Sequence, residues 1–264
     1  MHVEFDPGPS GAFATLCAQY PGVELYPPRD FRTEWGPVFY RGRLDGSARV
    51  LAIGQDPSAH EVAGRRILLG TAGHRVQGFL ARLGITHSYV MVNTYLYGVY
   101  GNTGLKHQAD PAIAQYRERW FDAIFASSPI EVVIAFGSLA DDAWRRWGGA
   151  REHSVAYAHV THPTQPNSAS KGDPNKLRQL EAALLANWNE ALVRLRPVIA
   201  HPDATALPGT YGAKFKAADL VPIPAADLAP GCPAWMREAQ TWAERLGTTP
   251  KQKRRTIQIS ATLD

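Results

Sequence analysis

At 264 residues, with 45% hydrophobic and 20% charged side chains, the chain has the balance of a packed globular protein, long enough for one large α/β domain and a modest tail. No run approaches the ~18 apolar residues that a membrane span needs, the opening Met1-His2-Val3-Glu4-Phe5-Asp6 lacks the basic and apolar regions of a signal peptide, and the two cysteines, Cys17 and Cys232, neither form a CxxC pair nor suffice for an iron–sulfur cluster. A reduced, cytoplasmic setting is expected, and the net charge of +4 with a pI near 9.1 is compatible with a polyanionic partner without requiring one.

Along the chain, a short helix is expected near Ala12–Tyr20. Arg49–Ile53 is then the first of four short apolar runs that read as buried parallel strands; the others are Tyr89–Val92, Glu131–Phe136 and Val155–Val160. Helical spacing separates them. Val76, Phe79, Leu80 and Leu83 form one stripe after Gly73, and Ile113, Tyr116, Trp120 and Ile124 form a second, with Asp110-Pro111 as its start. Ser138 is the expected N-cap of a helix over Leu139–Trp147. A last stripe runs through Leu177, Leu180, Leu184, Trp188, Leu192 and Leu195. Strand alternating with helix predicts a three-layer α/β/α fold around a central four-stranded, mainly parallel sheet. After Arg196 the character changes: eight of the twenty prolines fall between Pro197 and Pro250, and only Pro233–Leu246 reads as helical. Residues 1–196 are therefore expected to form the main domain and 197–264 an irregular appendage packed on it. The basic run Lys251-Gln252-Lys253-Arg254-Arg255 reads as a solvated tail.

Ligands of open parallel sheets sit outside the carboxyl ends of the strands. Here those ends are followed by Gly54-Gln55-Asp56-Pro57, Asn93-Thr94-Tyr95, Gly137-Ser138 and Thr161-His162-Pro163-Thr164. An acid, an amide, a tight turn and an imidazole are thus expected to face one crevice.

Gly54-Gln55-Asp56-Pro57 resembles the first signature of family 1 uracil-DNA glycosylases, and His162-Pro163-Thr164 resembles the second. Asn93, at a strand end between them, looks like the amide that reads uracil. Gly70-Thr71-Ala72-Gly73 and Val132–Gly137 are instead similar to the family 4 branch. The resemblance spans roughly residues 48–195. It implies a DNA-repair hydrolase that cuts the N-glycosidic bond of a flipped-out uracil, acting as a monomer on DNA containing uracil or another damaged base, with no membrane partner. Asp56 would orient water and offset the charge developing on the sugar, while His162 would donate to uracil O2. Asn93 offers an acceptor for N3–H and a donor for O4, and Gln55 would present its backbone amide. Thr164, Gln165, Pro166, Ser138 and Lys171 are the candidate DNA contacts, with Pro166 as a rigid wedge; Lys176 and Arg178 are further candidates for phosphate. The four family 4 cluster cysteines are absent, so neither a cluster nor any other cofactor or metal is expected.

Two departures matter. Family 1 has a tyrosine after its GQDP, walling off C5 of the base; here that position is Ser58, followed by Ala59 and His60. The pocket is therefore expected to be wider unless His60 fills it. The stacking aromatic is also missing: Leu68 or Ile67 stands where a phenylalanine is expected. Two alternatives stay open. One is a uracil- or abasic-DNA binder of the same superfamily with little turnover, for which Gly98–Ala109, with Lys106 and His107, is the relevant loop. The other is a nucleotide-binding α/β module, although no P-loop or GxGxxG follows any strand.

Overall fold

The computed structural model describes residues 4–246 and 256–261. Its core is a five-stranded sheet in the order β1-β3-β2-β4-β5. The strands are β1 (Tyr40–Gly42), β2 (Val50–Gly54), β3 (Tyr89–Asn93), β4 (Val132–Phe136) and β5 (Ala156–Val160). β2, β3, β4 and β5 are parallel, and β1 runs antiparallel to β3 on one edge. The sheet therefore has one strand more than the pattern predicts. β1 has only three residues, and its centre is Arg41, buried completely, so it carries no alternation to read.

Both faces of the sheet are covered, which is why the parallel strands read as continuous apolar runs. Val50 and Ala52 of β2, Tyr89 and Met91 of β3, and Val132, Ile134 and Phe136 of β4 point to one cluster. There they meet Val76, Phe79 and Leu80 of α3 (Gly70–Arg82) and Leu184, Trp188 and Leu192 of α7 (Pro174–Leu195). The alternate residues Leu51, Ile53, Val90, Val92, Val133 and Ala135 point the other way. They meet α1 (Gly11–Ala18), α4 (Pro111–Ser127) and α5 (Ser138–Arg146) through Phe13, Ile113, Trp120, Phe121, Leu139 and Trp144. Asp110 caps α4 by accepting from Ala112 N–H at 3.1 Å, with Pro111 opening the helix. Ser138 is instead the first helical residue of α5. The N-cap is Gly137, at φ +93°, which an L side chain rarely adopts.

α3 lies on one face and α4 on the other, while β2 pairs with both β3 and β4. The chain thus reverses direction around the carboxyl end of β2, leaving a crevice there.

Residues beyond Arg196 lie against this body and are tied to it by buried acids. Asp203 Oδ2 accepts from the backbone N–H of Thr86, His87 and Ser88 at 2.7, 2.8 and 2.9 Å. Asp219 pairs with Arg82. Asp227, fully buried, accepts from Arg43 and from the Tyr89 hydroxyl, both at 2.5 Å, and stands 3.5 Å from Arg41. The helix expected over Pro233–Leu246 is confined to α8 (Trp235–Glu238). Ala243–Arg245 instead forms β6, paired antiparallel with β7 (Ile257–Ile259). Trp242 and Ala243 pack with Ala59, Leu69, Ile223 and Leu228 in a third cluster, so tertiary burial overrides the local helical pattern. The basic run Lys251–Arg255 lies outside the described residues. Among those residues no helix is long and apolar enough to cross a membrane.

Candidate active site

Gln55, Asp56, Asn93 and His162, from the ends of β2, β3 and β5, line one cavity of about 270 Å³. Ser58, His60 and Leu68, expected at the base, line it too, as does Thr164, expected as a DNA contact. Glycines let these side chains converge. A Cβ on Gly54 would stand 2.2 Å from Asn93 Oδ1, so the amide lies directly on the β2 backbone. A Cβ on Gly137 would stand 2.1 Å from Gln55 Nε2.

Asn93 is 8% exposed, yet its side-chain amide has no hydrogen-bond partner among the described residues. A ligand that covers this amide must match its donor and acceptor, at about 1–3 kcal/mol for each group left unpaired. Asn93 is therefore set to bind a ligand edge that matches it.

Asp56 Oδ2 accepts from Val99 N–H at 2.8 Å, which fixes the carboxylate against the loop after β3. Its pKa is pushed up to about 6. Burial is the main cause and the neighbouring Glu61 adds to it, while the Val99 bond and the Arg245 and Arg32 charges pull the other way.

His162 Nδ1 lies 3.3 Å from Thr164 N–H and 3.2 Å from Thr164 Oγ1. A backbone amide can only donate, so Nδ1 is the acceptor and the neutral ring carries its proton on Nε2. Burial drives the pKa of this imidazole down to about 4, so the neutral form dominates at physiological pH. The loop that holds His162 is clamped from α3: Arg75 Nη1 donates to Pro163 O at 2.6 Å and to Asn167 Oδ1 at 2.8 Å.

Ser58 precedes α2 (Ala59–Gly64) as its N-cap, and its backbone N–H and hydroxyl both donate to Glu61 Oε2, the former at 2.7 Å. Ser58 is exposed and borders the cavity with a small side chain. His60 lines the cavity beside it. Its Nε2 accepts from Trp242 N–H at 3.2 Å and its ring lies over Gly70, where a Cβ would come within 2.7 Å. Leu68 sits at φ +52°, a strained conformation for a bulky residue, with its carbonyl against Gly73, where a Cβ would be 1.9 Å away. An aliphatic side chain therefore covers the cavity at the expected stacking position.

The remaining expected contacts lie apart. Ser138 is exposed at the start of α5 and lines an adjoining 240 Å³ pocket across Gln55 and Asp56. Gln165, Pro166 and Lys171 belong to α6 (Gln165–Ser170) and its end, away from the cavity lining. Pro166 is buried in the first turn of that helix, so it does not project as a wedge. Lys171 is exposed at φ +51°. Sequence reasoning missed Glu61, Leu69, Thr71 and Ala72, which also line the cavity. The Ser58-x-x-Glu61 capping pattern signalled the first, and the Gly70–Gly73 motif contained the last two.

A family model for the Uracil DNA glycosylase superfamily matches residues 41–200. The chain belongs to that superfamily. The match covers all five strands of the main sheet except the first residue of β1, and every residue of the cavity lining. A search of curated proteins finds no match. Superfamily membership supports a glycosylase-type activity in DNA repair.

Proposed function

We propose that the protein is a monofunctional DNA glycosylase that hydrolyses the N-glycosidic bond of uracil extruded from DNA, leaving an abasic site. The observation that carries this reading is the convergence of Asn93, His162 and Asp56 on one small cavity, the first two with polar groups unpaired toward it.

In this reading Asn93 pairs with N3–H and O4 of uracil, a combination that cytosine's edge does not satisfy. As the C1′–N1 bond breaks, its electron pair passes to the base, and the Nε2–H of neutral His162 donates to O2, where charge accumulates. Asp56, mostly ionised at neutral pH, offsets the positive charge on the sugar and orients the water whose oxygen bonds to C1′. That water's proton leaves through the carboxylate to solvent. The small side chain at Ser58 supports acceptance of deaminated purines as well as uracil.

The test is excision from oligonucleotides containing uracil, xanthine or hypoxanthine, by the wild type and by Asp56→Asn, Asn93→Ala and His162→Ala. Loss of at least tenfold in each variant is expected, or 1.4 kcal/mol and more in the barrier. A wild type inert on all three bases defeats the proposal, and strict uracil selectivity defeats the wider specificity. The trapping alternative predicts an SDS-stable adduct with uracil-DNA. His107, its candidate nucleophile, is instead engaged: Nε2 lies 3.0 Å from Asp30 Oδ2 and the ring packs on Phe31.

A further inference from the structure

Beside the cavity lies a larger open groove of about 760 Å³, lined by Arg29, Arg32 and Arg245. Ser58 and His60 line both spaces, so the groove continues from that side of the cavity. We propose that this groove grips the phosphodiester backbone of the strand whose base enters the cavity, with Arg32 as its buried contact and Arg245, from the C-terminal hairpin, as its second. The assignment of DNA as ligand rests on the glycosylase reading; the residues and their arrangement stand on their own.

Arg32 is the decisive feature. It is only 6% exposed, and its guanidinium is held between two rings, 4.7 Å from the Trp35 centroid and 4.3 Å from that of Tyr100. Stacking fixes the plane of the guanidinium without using any of its N–H donors. Among the described residues that guanidinium makes no hydrogen bond or ion pair, and Nη1 is buried without a partner. A structural arginine at this depth is normally paired with an acid or with carbonyls, as Arg82 is with Asp219, the Gly209 carbonyl and the Gly78 carbonyl. Arg32 has the stacking without the acceptor, which is the arrangement of a fork awaiting an oxyanion.

The surroundings agree. Burial first and the charge of Arg245 next lower the pKa of Arg32, while Tyr100, Glu34 and Asp56 raise it, so two cations share one space in which burial and like charge outweigh the nearby acids. Arg29 adds a third cation at the rim, its side chain 84% exposed and its Nε 3.5 Å from Asp30 Oδ2. Of nearby acids, Glu244 also lines the groove, Asp30 stands beside Arg29, Asp56 accepts from Val99 N–H, and Glu34 is engaged by the Tyr100 hydroxyl at 2.8 Å. Arg245 lies on β6, and the preceding Trp242 holds His60. The C-terminal appendage would thus supply one wall of the strand's path as well as packing under α2.

The experiment measures binding of the full-length protein to an undamaged labelled oligonucleotide, and to its uracil-containing counterpart, over a salt titration. Arg32→Gln is expected to weaken both about tenfold and to reduce the slope of log affinity against log salt by about one. Arg29→Gln/Arg245→Gln, altering two exposed side chains, is expected to lower the slope similarly, and decides the question if Arg32→Gln does not fold. Folded variants with affinity within twofold of wild type and an unchanged slope overturn the proposal. So does a loss confined to competition by dUMP, which would mark a mononucleotide site. Binding to undamaged DNA is read without turnover, so a wild type that binds but excises nothing sinks the glycosylase reading and leaves this one standing.

Discussion

Replacing Asp56 by Asn is expected to stabilise the protein while removing its activity. The carboxylate pKa rises from an ordinary 3.8 to about 6 in the folded chain, chiefly through burial. The folded state therefore holds a proton that the unfolded state has released anywhere between these values. The sign follows: the ionised side chain opposes folding above pH 6, and that opposition fades as pH falls to 3.8. Its full size is about 3 kcal/mol. Asparagine removes the charge but keeps a carbonyl oxygen for Val99 N–H, now as a neutral hydrogen bond weaker by about 1 kcal/mol. A net gain of about 1–2 kcal/mol at pH 8 corresponds to a rise in Tm of about 2–6 °C for a chain of this size. Thermal unfolding of both proteins at pH 8, 6 and 4 reads it, and the advantage of the variant should be absent at pH 4. A variant with native fold that melts at or below wild type at pH 8 would refute the reasoning, because the carboxylate would then not be penalised by its site.

The other expectations are more local. Gly54→Ala places a methyl where Asn93 Oδ1 lies, and should reproduce the excision defect of Asn93→Ala, a loss of about 10–100-fold, with a circular dichroism spectrum like wild type. Single-turnover excision between pH 4.5 and 9 should rise through about pH 6 as Asp56 ionises and then level off, since His162, at about 4, is already neutral; an optimum below pH 5 would contradict these roles. Asp227→Ala leaves Arg41, Arg43 and Tyr89 without their shared buried acceptor and should cost about 3–5 kcal/mol in denaturant unfolding. If stability is unchanged, that acid does not anchor the appendage.

What could be read from the chain alone was whatever rests on short-range pattern. β2, β3 and β4 are apolar runs because both faces of each are buried, and Val50–Gly54, Tyr89–Asn93 and Val132–Phe136 match their expected spans to within about a residue, whereas β5 at the sheet edge leaves His159 exposed. The polar residues that follow those runs, Asp56, Asn93 and His162, were legible as a group, because parallel strands must deliver their carboxyl ends to one edge. Only the tertiary structure decided what long-range contact supplies. β1 is a strand because Tyr40–Gly42 pairs antiparallel with β3, with Arg41 meeting Gln77 and Asp227 across the fold, and no local period encodes such a pairing. Ala243–Arg245 is a strand because β7 pairs with it and Trp242 is buried against α2's flank, against a helical local pattern. Arg32 looks like any surface arginine in the sequence; its isolation between Trp35 and Tyr100 arises from segments 65 or more residues apart meeting at the rim of the site. Periodicity reports which side of an element is buried, whereas the partner that buries it is a property of the assembled chain.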